Sequence, residues 1–150
     1  MVLEYADRTY RLAAEQGRRL AADGGSRAQA LVQWKRRVRE CWRNVTLHWA
    51  EEPPGASRTG LPVRLAIGAH LGGLGIDDVR VECVLEGDGQ GEDTARTERF
   101  EPAGAGEGPS GRFVLELANL PNGLLHYRVR AYPWHPDLAH PFEMGLMAWL

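Results

Sequence analysis

The hydrophobic pattern of the chain changes its period near Asn44, and this change limits the possible folds more than any other feature. Beyond Asn44, apolar and polar residues alternate in short runs, the period-2 pattern of half-buried strands. Turn-forming stretches rich in glycine and proline separate these runs. The predicted strands cover about 45–49, 63–69, 79–85, 96–101, 113–117 and 125–131. Short strands with no helices between them predict an antiparallel, immunoglobulin-like β-sandwich.

The first 43 residues show helical periodicity instead. Good helix formers fill 3–22, and the sequence "DGG" at 23–25 is typical of a helix end. Ser26 is a suitable N-cap for a second helix. The apolar stripe of this helix contains Leu31, Trp34, Val38 and Cys41/Trp42. The sequence therefore predicts a mainly β protein with α: a helical hairpin over 1–43, then a sandwich over 44–150 with a closing C-terminal tail.

The opposite face of the second helix is basic. It carries Lys35, Arg36, Arg37 and Arg39. Such a cluster can contact an anion, but a solvated helix face is the favoured interpretation, since exposed charges contribute little to stability.

Charge and composition exclude several kinds of partner. The formal net charge is −2, which gives no general attraction to nucleic acid. No apolar run approaches the roughly 20 residues of a spanning helix, and the charged first residues do not resemble a signal peptide. The two cysteines have no metal-type or disulfide-type spacing. We expect a cytoplasmic protein with neither nucleic acid nor a membrane as partner.

No residue pattern predicts catalysis or metal binding. His135, Asp137 and His140 are close in sequence, but each histidine precedes a proline, which favours extended backbone and separates the side chains. No serine lies in a G-x-S-x-G setting. Lys35 is the only lysine among 18 lysines and arginines, which limits cofactor chemistry that needs a lysine. We therefore expect no catalytic, cofactor-binding or metal residues in this chain.

Two of the five tryptophans are candidates for sugar binding. Trp49 lies in a predicted strand and Trp134 follows the last one, and exposed aromatic rings can stack on sugar rings. Burial in the core is the more common role of such residues.

The C-terminal tail, "HPDLAHPFEMGLMAWL", is unusually apolar for a terminus. The prolines predict a rigid, extended lead-in, with histidines that are structural. The spacing of the apolar residues predicts a short closing helix or turn that folds back and is buried on the sandwich or the hairpin. The predicted structural residues are His135, Pro141, Phe142, Leu146 and Trp149.

Three segments resemble the last portion of bacterial α-glucan (glycogen or maltodextrin) phosphorylases of the longer subfamily. They are "MVLEYADRTYRLAAEQGRRLA", "ALVQWKRRVRECWRNVTL" and the tail. The pattern W-K-x-R-V-x-x-x-W begins at Trp34, and the signature HP-L--PFE-GL--W begins at His135. The resemblance covers essentially the whole chain, and its two ends are more specific than the sandwich between them.

The resemblance implies a parent reaction, the phosphorolysis of α-1,4-glucan to glucose 1-phosphate. The family's pyridoxal phosphate is bound by a lysine in a glycine- and serine-rich stretch, and nothing in this chain matches that stretch. The implied role is a non-catalytic C-terminal domain, with the phosphorylase catalytic body or an α-glucan as possible partner. A stand-alone carbohydrate-binding or protein-interaction module is the alternative.

Overall fold

The structure, a computed structural model, describes Gly17 and residues 20–56, 58, 60–87, 96–105, 110–120 and 125–150. Within these ranges one helix precedes eight strands. Helix α1 spans Ser26–Cys41, and 3₁₀ turns cover Ala22–Gly25, Trp42–Asn44 and Ile76–Asp78. The strands are β1 (Thr46–Trp49), β2 (Val63–His70), β3 (Val79–Gly87), β4 (Arg96–Arg99), β5 (Glu101–Ala105), β6 (Ser110–Leu117), β7 (Leu125–Pro133) and β8 (Ala148–Trp149).

The strands form two antiparallel sheets of four strands each. The order is β1-β2-β6-β5 in the first sheet and β4-β3-β7-β8 in the second. Alternate residues of the central strands belong to one hydrophobic core, for example Ile67 and Phe113 from the first sheet and Val81 and Val129 from the second. The prediction of a mainly β protein built from antiparallel strands is confirmed.

Helix α1 packs into the same core. Leu31, Trp34 and Val38 are buried, as their spacing predicted, and Trp42 continues the stripe just past the helix. A fully buried side chain of this size contributes about 1.5–3 kcal/mol. Much of the helix's stability therefore comes from this packing, because isolated helices of its length are marginal in water.

The N-cap of the helix lies one residue earlier than the sequence predicts. Gly25 is the N-cap with φ of 81°, a left-handed conformation that glycine adopts without strain, and Ser26 is already helical. The prediction that Ser26 is the N-cap was therefore wrong. The predicted first helix over 3–22 lies mostly outside the described residues, although Gly17, Leu20 and Ala21 are helical. The boundary at 43/44 stays a prediction.

The single strand predicted over 96–101 is two strands. Arg96–Arg99 pairs with β3 in the second sheet, and Glu101–Ala105 pairs with β6 in the first. Phe100 lies between them, is buried, and donates its N–H to the carbonyl of Val81 at 2.9 Å. The chain changes sheets at this residue, and part of the predicted glycine-rich loop after it is strand.

The closing tail is a turn followed by a strand. Residues 141–144 turn, Gly145 has φ of 64°, and β8 adds an edge strand beside Arg130 and Ala131 of β7. The helical alternative was therefore wrong, since Pro141 and a left-handed Gly145 do not continue a helix.

Candidate functional site

The helix and the sheets meet at one carboxylate, that of Asp78. It accepts a hydrogen bond from the Trp34 indole N–H at 2.6 Å and one from Arg37 at 2.9 Å, both on α1. The carboxylate also accepts a hydrogen bond from the backbone N–H of Gly75 at 2.8 Å. The backbone carbonyl of Asp78 accepts a hydrogen bond from the N–H of Trp134, also at 2.8 Å. Charge-assisted hydrogen bonds of this kind are about twice as strong as neutral ones. Asp78 therefore joins α1, a turn of the second sheet and the start of the tail.

The tail adds three more contacts to the same side of α1. The His135 ring packs on Trp34 with 5.0 Å between ring centroids. Buried Asp137 lies 3.5 Å from Arg27, and Glu143 is bonded to the Lys35 ammonium. We call the contacts of α1 with Asp78, His135, Asp137 and Glu143 the helix seam.

The solvated-face interpretation of the basic helix face was therefore wrong in part. Lys35 and Arg37 bind carboxylates of the seam, whereas Arg36 is exposed and pairs with Glu40 on its own helix at 3.1 Å. Arg39 is also exposed.

The seam lowers the pKa of Glu143. Burial by itself raises the pKa of this carboxyl, but the hydrogen bond from Lys35 and those from the backbone N–H groups of Ala139 and His140 outweigh it. The result is a pKa below the ordinary 4.5, so the carboxylate is charged at neutral pH.

Trp49 lies at the edge of the first sheet. Its ring is half-buried, packs against the core and meets Tyr127 edge-on with 6.0 Å between centroids. Burial raises the pKa of Tyr127, with a smaller contribution from Cys83.

Trp134 lies beyond the other end of β7, one residue past Pro133. At about 3.3 Å per residue, the seven residues from Tyr127 place it about 23 Å away along the strand. The two candidate tryptophans therefore do not form one site, and sugar stacking stays a prediction for each of them.

Trp134 lines a cleft of about 420 Å³ whose walls include residues of both sheets. The Arg80 guanidinium lies over its ring at 3.4 Å, a cation–π geometry, and Arg99, Asp77 and Glu101 share the cleft. Burial and the neighbouring Arg99 lower the pKa of Arg80. The cleft thus combines one aromatic ring with charged groups of both signs.

The tail residues divide between the core and the surface. Leu146 packs against the core and Met144 is buried. Pro141 is exposed, Phe142 is 38% exposed and Trp149 is 50% exposed. The prediction that the tail residues are buried was therefore wrong for Phe142 and Trp149.

The tail covers part of the outer face of the second sheet. Phe142 meets the Tyr132 ring edge-on at 4.9 Å and lies 4.9 Å from the Arg130 guanidinium. Beneath it, Glu82 accepts from Arg130 at 2.8 Å and from the Tyr132 hydroxyl. Burial and the hydrogen bond to Glu82 raise the pKa of Tyr132 to about 12. Phe142 is therefore held in place although much of its ring is exposed.

Sequence reasoning did not predict the role of Asp78. One signal was available, because a tryptophan on the apolar stripe of a helix usually needs an acceptor for its indole N–H when buried. The sequence separation of 44 residues gave no indication of which acceptor it would be.

Within the described ranges, no group of three or more histidine, cysteine or acidic side chains is placed to hold a metal ion. None of the helices described there is long and apolar enough to cross a membrane.

The fold and the seam define a mainly β domain with helix α1 packed into its core. The family model for the glycogen phosphorylase C-terminal domain matches residues 42–150, and the chain belongs to this family. It is 30% identical to the maltodextrin phosphorylase of Thermococcus litoralis over 155 residues, covering 99% of this chain and 18% of that protein. It is also 30% identical to the glycogen phosphorylase of Mycobacterium bovis over 151 residues, covering 98% of this chain and 18% of that protein.

The glycogen phosphorylase of Mycobacterium tuberculosis matches in the same way, at 30% identity over 98% of this chain. The chain spans about a fifth of the length of these relatives, 18% in each case. No solved structure matches the chain. The resemblance to the C-terminal portion of a phosphorylase is confirmed.

Proposed function

We propose that this chain acts as a non-catalytic C-terminal accessory domain of a cytoplasmic α-glucan phosphorylase. The parent reaction would be phosphorolysis of α-1,4-glucan to glucose 1-phosphate. The main support is the coverage of the relatives: 98–99% of the chain matches only 18% of the length of glycogen and maltodextrin phosphorylases. The matching family model describes the C-terminal domain of glycogen phosphorylase.

The position of the only lysine supports a role outside the chemistry. Pyridoxal phosphate, the cofactor of the parent family, would need a lysine amine that is free to react and a site for its phosphate. Lys35 instead binds the Glu143 carboxylate on the surface of the helix seam. This setting does not fit the cofactor, so we assign pyridoxal phosphate to the catalytic portion of the parent enzyme and none to this chain.

The helix seam suggests what the domain does mechanically. In the parent enzyme, residues 1–43 would connect the catalytic body to the β-rich domain over 44–150. Asp78 and the tail carboxylates hold α1 against the rest of the domain through contacts along one side of the helix. The helix would therefore act as a rigid connection and not as a flexible linker.

We further propose that the two sheets form an immunoglobulin-like sandwich. Their four-stranded antiparallel composition and their shared core of alternating residues support this assignment.

The test is a segment exchange with the Thermococcus litoralis enzyme. Its matching segment is replaced by this chain, and the chimera is compared with the enzyme truncated before that segment. We expect the chimera to release glucose 1-phosphate from maltoheptaose and phosphate, with a higher thermal midpoint than the truncated enzyme. The isolated chain should release none. A chimera no better than the truncated enzyme, or turnover by the isolated chain, would contradict the proposal.

The Trp134 cleft favours the second candidate, a stand-alone carbohydrate-binding module. It combines a half-buried indole with arginines and carboxylates that can bond to hydroxyl groups. Titration of the isolated chain with maltoheptaose tests this function. If the chain binds maltoheptaose, Trp134→Ala abolishes the binding and Trp49→Ala preserves it, this function is favoured over the first.

A further inference from the structure

The exposed large apolar side chains that the structure describes are concentrated in the tail. Among the described residues there are five, and Phe142, Trp149 and Leu150 fall within the last nine positions of the sequence. The other two, Val32 on α1 and Leu61 before β2, are isolated from them in sequence. Phe142 and Trp149 both lie beside Arg130 on the outer face of the second sheet, and we call these two residues the tail patch. A concentration of exposed apolar side chains marks an interaction surface more often than scattered ones do.

The tail patch is preformed. Trp149 lies in β8 opposite Arg130, and the Leu150 N–H donates to the carbonyl of Val129 at 3.0 Å. Phe142 is fixed by its contacts with Tyr132 and Arg130. Side chains held in this way lose little conformational freedom when a partner covers them, which favours binding.

Ion pairs lie beside and beneath the patch. Arg128 binds Glu86 at 3.0 Å and its guanidinium lies 5.6 Å from the Trp149 ring, while Arg130 binds Glu82 at 2.8 Å. Within the described residues, the outer face of the second sheet carries four arginines and two glutamates on β3, β4 and β7. These are Arg80, Arg99, Arg128, Arg130, Glu82 and Glu86. Arg99 also pairs with Glu101 of β5 at 2.9 Å, so these four arginines and three glutamates together carry a net charge of +1.

The composition of the patch favours a protein partner over a glucan. Aromatic residues, methionine and arginine are enriched at protein interfaces, and lysine is depleted. The patch has two aromatic rings beside two arginines, and half-buried Met147 adjoins β8.

We propose that the tail patch docks on the catalytic portion of a phosphorylase chain, at a surface with an apolar centre and acidic residues around it. This inference rests on the function proposed above and names the contact surface of the accessory domain. The relatives indicate the partner. The chain matches 18% of the length of each relative, so the other 82% is polypeptide against which the patch can dock. The remaining positive charge of the outer face favours a partner surface of opposite charge.

The first experiment is hydroxyl-radical footprinting of the isolated chain and of the active chimera. Docking should reduce the oxidation rates of Phe142 and Trp149 at least fivefold in the chimera, whereas Leu61 should oxidise equally fast in both. Equal rates for Trp149 in an active chimera would overturn the docking proposal and leave the proposed function standing. Protection of Trp149 in the isolated chain by maltoheptaose would also overturn it, since it would identify the patch as a glucan site.

The second experiment compares matched double variants. Phe142→Ala with Trp149→Ala should lower the affinity of the isolated chain for the truncated Thermococcus litoralis enzyme at least tenfold, once circular dichroism shows that both proteins are folded. Val32→Ala with Leu61→Ala removes more exposed apolar side chains elsewhere and should leave the affinity within twofold of the unsubstituted chain. Equal losses in the two variants, or no binding by the unsubstituted chain, would overturn the proposal.

Discussion

The helix seam and the tail patch use the same residue types in opposite ways. Trp34 lies in the seam at 7% exposure with its indole N–H on Asp78, while Trp149 lies in the patch at 50% exposure. Arginines accompany both, Arg37 bound to Asp78 and Arg128 near the Trp149 ring. The contrast shows that the surroundings decide the role of a tryptophan. The seam supplies a half-buried acceptor for the Trp34 indole and stabilises the fold, whereas the patch leaves half of Trp149 exposed.

The sharpest test of this contrast replaces each tryptophan with alanine. Trp34→Ala should lower the free energy of unfolding by about 3–5 kcal/mol, because it leaves a cavity and removes a donor from Asp78. Trp149→Ala should cost about 1 kcal/mol, roughly half of what a fully buried side chain contributes. Urea denaturation of the isolated chain measures both. Equal losses would break the distinction between seam and patch.

A second pair of variants compares the two faces of α1. Val38 is fully buried and Val32 is 66% exposed on the same helix. Val38→Ala should lower the free energy of unfolding by about 2–3 kcal/mol through the cavity it leaves. Val32→Ala should change it by less than about 0.5 kcal/mol. If Val32→Ala cost as much as Val38→Ala, the exposed side of the helix would have to be packed in the isolated chain.

A third variant removes the acceptor of the seam. Asp78→Ala should cost about 2–3 kcal/mol, because Trp34 and Arg37 lose a charged partner and the Gly75 N–H loses its acceptor. The neighbouring Asp77 is exposed, so Asp77→Ala is the control and should cost less than about 0.5 kcal/mol. Thermal melts of the two variants beside the unsubstituted chain make the comparison. A small loss for Asp78→Ala would show that packing, and not hydrogen bonding, holds the helix.

The strands and the buried stripe of α1 were predictable because both depend on local periodicity. The alternation around Ile67, Val81 and Val129 shows which side of each strand is buried without any knowledge of its neighbours. The same information does not show where a chain changes sheets. The apolar residue at Phe100 fits the alternation of one continuous strand, yet β4 and β5 on its two sides belong to different sheets.

The tail shows the limit of periodicity for short segments. Phe142, Leu146 and Trp149 have helical spacing, but two of the three are exposed and the segment ends in a strand. Pro141 and Gly145 were local signals against a helix, and β7 offered an open edge that no local pattern reveals. The helix seam was unpredictable for the same reason, because Lys35 and Glu143 are 108 residues apart in sequence.

The smallest expected effect is a pH dependence at the seam. Folding lowers the pKa of Glu143, mainly because the Lys35 ammonium outweighs the opposing effect of burial. The carboxylate therefore stabilises the fold at pH values above its ordinary pKa of 4.5, and this contribution is lost as the pH falls through the lower pKa of the folded state. Glu143→Gln should cost about 0.5–1 kcal/mol at pH 7, as expected for a partly exposed ion pair. The glutamine can still accept from the Ala139 N–H, so this variant removes the charge and keeps that hydrogen bond. Urea denaturation at pH 7 and at pH values below 4.5 should show the difference from the unsubstituted chain shrinking with acidification.

Glu52→Gln, at an exposed position before β2, is the control and should show no such convergence. A Glu143→Gln difference that is constant across this range would mean that Lys35 and Glu143 contact each other without stabilising the seam.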